Sequence, residues 1–154
     1  MHPKGRAVVR AALISLIDSA STTLDIESMQ FSDDEVRMAV LARAEAGVKV
    51  RVLLADPAWV NANQDAATFL ARSRIPVRFL RNPAVHVKSI LVDGRRAYIG
   101  SENLSYTSLS KNREIGLLAS EKPVIKAMSA TFAADWANAI SFRGSDAMSR
   151  TIDG

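Results

Sequence analysis

The chain has 154 residues, 48% apolar and 23% charged, a composition that suits one globular domain with a sizeable core. With no cysteine it excludes disulfides, thiol nucleophiles and thiolate metal sites; with only His2 and His86 it disfavours an imidazole-built metal centre. The formal charge is +4, yet positions 72–113 hold nine basic residues against two acidic ones, a stretch of +7 that would attract nucleic acid, phosphate-bearing substrates or anionic lipid.

Positions 6–19 predict a helix, with Val9, Leu13, Leu16 and Ile17 recurring near a helical period. Positions 22–29 alternate Leu24, Ile26 and Ser28 against Asp25 and Glu27, the pattern of a half-buried strand. Ser32 with Glu35 three residues on reads as a capping box, opening a helix that runs to Ala46 and stops at Gly47. A buried strand at 48–55 is broken by Asp56-Pro57, and a helix at 63–72 leads to a short strand at 77–80. Positions 85–92 and 97–100 form a β-hairpin around Asp93-Gly94-Arg95-Arg96, 114–119 adds a strand, and 123–140 closes with a helix that has Pro in its first turn.

Strands alternating with helices imply an α/β class, an α/β/α sandwich with a mixed β-sheet. One domain is expected over 1–141, with a tail at 142–154. The apolar runs are strand-length, too short to cross a bilayer, and no segment reads as a signal peptide. The compartment is not legible.

The chemistry concentrates in His86-Val87-Lys88, Asp93, Gly100-Ser101-Glu102-Asn103 and Glu114. On a strand His86 and Lys88 share a face, whereas Asp93 has the opposite parity. The hairpin returns Ser101 and Asn103 beside the start of that strand, and Glu114 opens the next. A neutral imidazole can attack phosphorus. A lysine and an amide can hold the non-bridging oxygens, and a carboxylate can fix the imidazole tautomer.

In these residues the chain resembles the phospholipase D superfamily, whose H-x-K-x4-D-x6-G-S-x-N signature is met by His86, Lys88, Asp93, Gly100, Ser101 and Asn103. The resemblance extends through the βαβ frame over nearly the whole chain. It implies an attacking histidine, a phosphohistidine intermediate, no metal and no cofactor. Glu114 falls where the family's small nucleases place the carboxylate that partners the histidine. The wording from Gly100 to Gly116 is similar to the second half of bacterial two-motif members. Two facing histidines are needed in the family and this chain carries one motif, so the resemblance implies a homodimer or a missing partner half.

The resemblance implies a phosphodiester substrate, with a nucleic acid favoured over a phospholipid; phospholipase, phosphatidyl transferase and an inactive phosphate-binding or dimerising module are the alternatives. Asp93 reads as a structural turn residue whose carboxylate bonds nearby backbone donors. Ser101 either contacts phosphate or holds the hairpin. Arg78 and Arg81, with Arg72 and Arg74, either line a substrate track or form a solvated edge. Trp59 reads as a packing residue or a cleft lip, and Phe132 with Trp136 as core or dimer surface.

Overall fold

The computed structural model describes residues 3–85, 87–101, 103–110 and 116–143. In chain order it contains α1 (Pro3–Asp18), β1 (Thr23–Ser28), α2 (Asp34–Glu45), β2 (Lys49–Ala55), α3 (Ala62–Arg72), β3 (Val77–Leu80), β4 (Lys88–Val92), β5 (Arg96–Gly100), α4 (Tyr106–Ser110), β6 (Gly116–Ala119), α5 (Lys122–Asn138) and β7 (Ile140–Ser141). The seven strands form one sheet in the order β6-β5-β4-β1-β2-β3-β7. β1, β2 and β3 run parallel, and β4, β5, β6 and β7 each pair antiparallel with a neighbour, so the sheet is mixed as expected.

The two faces are covered unequally. One meets Leu13 and Ile17 of α1, Val36 and Val40 of α2, Ala66 and Leu70 of α3 and Leu109 of α4, packed on Leu24, Ile26, Val52, Leu54, Ile90 and Val92. The other is covered by α5, through Phe132 over Leu53, Ala55, Leu80 and Val85 and through Ile125 over Leu91 and Ala97. Each fully buried Leu, Ile or Phe contributes about 1.5–3 kcal/mol, which places most of the stabilisation on the four-helix side.

β1 corrects one expectation. Its alternation predicts a half-buried strand, yet every residue from Leu24 to Ser28 is buried, because α5 covers the face that carries Asp25 and Glu27. Two different devices make this tolerable. The Asp25 carboxylate accepts from Nε and Nη2 of Arg51 at 2.8 and 2.9 Å, and the Arg51 guanidinium lies over Phe132 and Trp136 at 4.9 and 5.5 Å. Glu27, 2% exposed, meets the carboxyl of Asp135 on α5. Burial, the hydrogen bond with Asp135 and the charge of Asp135, in that order, push Glu27 up to about 8. At neutral pH it is therefore protonated.

Asp33, not Ser32, caps α2: its carboxylate accepts from the Val36 amide at 3.1 Å. Arg10 of α1 holds that same carboxylate at 2.9 and 3.2 Å and reaches Ser110 of α4 at 2.5 Å, joining three helices. α4 and β7 are additions that the periodicity did not reveal. The Phe132 and Trp136 rings stack at 5.8 Å on the inner side of α5, so this pair belongs to the interior.

Candidate active site

The parallel strands β1, β2 and β3 end at one edge of the sheet, and antiparallel β4 begins there. Ser28, the last residue of β1, stands directly opposite Lys88, the first of β4. Alternation places Lys88 on the four-helix face with Ile90 and Val92. Ser28 is buried, and its hydroxyl donates to the Gln30 carbonyl at 2.7 Å, which turns the chain out of β1.

β5 ends at Gly100, and the segment after it returns across this edge. Ser101 is exposed, Asn103 is half-buried, and Leu104 bridges Phe31. The fastening is backbone to backbone: the amides of Ser32 and Asp33 donate to the Leu104 carbonyl at 2.7 and 2.8 Å, and the Leu104 amide donates to Gln30 at 3.0 Å. Among the described residues Asn103 Oδ1 is buried without a hydrogen-bond partner. An orphaned acceptor costs the fold about 1–3 kcal/mol; it is Nδ2 of the same side chain that can donate to an anion.

A second buried amide organises the same edge. Asn63, in the first turn of α3 and fully buried, donates to the carbonyls of Met29 and Ala55 at 2.7 and 2.9 Å and accepts from the Phe31 amide at 3.2 Å. It ties the end of β1 to the end of β2. Nothing short-range in the sequence marks it, because an Asn at the start of a helix looks like any capping residue.

Asp93 lies at the other end of β4. Its backbone is left-handed, with φ 55°, and its carboxylate accepts from the amides of Ser21, Thr22 and Thr23 at 2.8–3.1 Å and from the hydroxyls of Ser21 and Thr22. Partial burial alone would raise its pKa; these hydrogen bonds outweigh that and hold the carboxyl well below the usual range. Its donors lie seventy or more residues upstream, at the start of β1. About five residues of strand, roughly 16 Å, separate Asp93 from Lys88.

Gly100 faces Gly116 across β5 and β6, and a Cβ at Gly116 would overlap the Tyr98 ring. Arg78 donates to the Trp136 carbonyl at 2.7 Å and lies 4.4 Å over its ring, beneath the end of α5. Arg81 pairs with Asp56 on the same sheet edge as Lys88, three strands or roughly 14 Å away, beside an open depression of about 1020 Å³ lined in part by Asn61, Gln64 and Thr68. Trp59, in the loop after β2, is half-exposed. His86 and Glu114 lie outside the described residues. The +7 stretch is not one patch, since Arg81 and Lys88 stand at one sheet edge and Arg95 and Arg96 at the other.

This fold is shared with a solved phospholipase D family member, Nuc from Salmonella typhimurium, at TM-score 0.81 and 26% identity over 87% of this chain and 90% of that one. Among curated relatives, the mitochondrial cardiolipin hydrolase of Danio rerio is 29% identical over 136 residues, 87% of this chain and 60% of its own length. A cardiolipin synthase of Listeria welshimeri is 27% identical over 132 residues, 82% of this chain and 27% of that protein. The chain thus spans less than two thirds of either curated relative. Fold and motif together define the phospholipase D-like phosphodiesterase superfamily. Within it the chain belongs to the family described as cardiolipin synthase, PLD-like domain, which matches residues 13–136.

Proposed function

We propose that this chain is a phosphodiesterase that works without a metal, through a phosphohistidine formed on His86. What supports the reading is the convergence of Lys88, Ser101 and Asn103 on one sheet edge, beside the strand that His86 precedes. An imidazole nitrogen of His86 attacks phosphorus, the P–N bond forms, and the bond to the leaving oxygen breaks. A second histidine, His86 of another copy, gives that oxygen its proton. The same histidine then takes a proton from water, whose oxygen displaces the imidazole and restores it. Lys88 and Asn103 clamp the non-bridging oxygens, Ser101 contacts the phosphate, and Glu114 orients the nucleophile. Two copies are therefore required, and light scattering should give twice the 16.7 kDa chain mass.

Nucleic acid is the favoured substrate. Lys88 and Arg81 stand on one edge of the sheet, a span of roughly 14 Å that a polyanion covering several phosphates would reach, and Nuc matches this chain over nearly its whole length. The cardiolipin hydrolase and synthase among the relatives favour a second reading, a phospholipid diester. Plasmid DNA and phosphatidylcholine vesicles, each incubated with the protein in excess EDTA, separate the two. Cleavage of DNA alone carries the first reading. Hydrolysis of lipid alone transfers the assignment to the second, and activity that vanishes in EDTA and returns with a divalent ion overturns the metal-free mechanism.

A further inference from the structure

We propose that the groove between α5 and the β4–β5 turn is a docking site for anionic phospholipid at a bilayer surface. The groove has a volume of about 750 Å³ and lies at the sheet edge away from Lys88. Arg95 from the turn and Lys122 and Lys126 from α5 stand around it, and its floor includes Ile125, Ala130 and Ala133. No acidic residue lines it. Among the described residues none of the three cationic side chains has an ion-pair or hydrogen-bond partner; the neighbouring Glu121 carboxylate accepts from the Ser120 amide at 3.2 Å instead.

The apolar part does not stop at the floor. Ala97 of β5 is buried beneath Ile125, and alternation places Ile99 on the same sheet face two residues further on, paired with Leu117 of β6. α5 does not cover these two, which are 37% and 64% exposed. Unpaired cations at one end of an apolar track match a molecule with a phosphate at one end and hydrocarbon behind it. A nucleic acid would use the cations but not the track, and no aromatic side chain lines the groove to stack a base. The feature is independent of the catalytic reading, because its cations stand at the opposite sheet edge from Lys88 and its occupancy is measured without turnover.

The test is cosedimentation with vesicles of phosphatidylcholine alone and of an equimolar mixture with phosphatidylglycerol. The protein should partition to the anionic vesicles, and Arg95→Gln, Lys122→Gln and Lys126→Gln together should weaken this about a hundredfold, since each basic residue near a charged surface contributes about a factor of five. A control of equal charge change at Lys49, Arg72 and Arg74, at the same sheet edge but outside the groove, should lose far less. Leu117→Asp, at an exposed position, should weaken binding with all three cations in place. Dihexanoyl phosphatidic acid should compete with the vesicles, and glycerol 3-phosphate should not. All variants alter exposed side chains; an unchanged melting temperature certifies their folding, and Lys126→Glu alone supplies a milder second variant. Vesicle binding that survives the triple substitution, equal competition by glycerol phosphate, or binding of an oligonucleotide in place of vesicles overturns the proposal.

Discussion

The two ends of β4 carry parts of one sequence motif and are built on opposite principles. At the Asp93 end every lone pair is used: one carboxylate gathers three amides and two hydroxyls from the start of β1. At the Lys88 end the backbone is fastened just as firmly, but among the described residues the Asn103 side chain leaves an acceptor open. Satisfied groups make structure and unsatisfied ones make sites, so a single run of residues serves both purposes by placing them a strand apart.

That contrast can be broken first at the motif histidine. His86→Ala should lower turnover of bis(p-nitrophenyl) phosphate by about three to five powers of ten, with the melting temperature unchanged, as for removal of other covalent nucleophiles. Retained turnover would remove the reactive end from the comparison altogether.

Glu27 gives the next largest effect, on stability. Its folded-state value of about 8 stands above the 4.5 of an unfolded chain, so the native state keeps a proton that the unfolded chain has released. Stability should therefore fall as pH rises from about 5 to about 8, by up to about 1.4 kcal/mol per unit. Glu27→Gln keeps a donor to Asp135 and should flatten that slope in urea titrations across the range. An unchanged slope would show that the buried pair is not what titrates.

Asn63→Ala leaves two carbonyls and an amide without their partner and should cost about 2–3 kcal/mol in denaturant unfolding. It should also lower kcat in the folded fraction, because the loop that anchors residue 104 loses its tie. Asp93→Asn, the smallest of the four, should cost about 1–2 kcal/mol and leave the kcat of folded protein intact. Loss of kcat at an unchanged melting temperature would contradict the separation of the two ends.

The sequence carries this comparison only in part. Strands β1 to β5 were legible as alternating or continuous apolar runs of strand length set between turn signals, and β3 lies where its pattern places it. The motif's local geometry was legible too: Asp93 is turned from Lys88 and bonds backbone donors. That those donors come from residues 21–23 depends on β1 pairing with β4, a contact across seventy residues that no local pattern records. For the same reason Ser32 reads as the cap of α2; Arg10 and the Leu104 carbonyl select Asp33 from a distance. α4 and β7, at five and two residues, are too short to show a period. Asn63, the partnering of Glu27 with Asp135 and the open acceptor of Asn103 exist only once the elements have met.

The strap that holds Leu104 is made of amides and carbonyls at residues 30, 32, 33 and 104, with no side chain among its bonds. Its geometry is therefore indifferent to most amino-acid exchanges at Ser32, Asp33 and Leu104, so far as the strap alone is concerned. What it demands of those three is an N–H, and proline is the one residue it refuses. Diversity libraries aimed at reshaping this edge of the molecule can vary Ser32 widely and keep the loop in register, provided that one codon is left out.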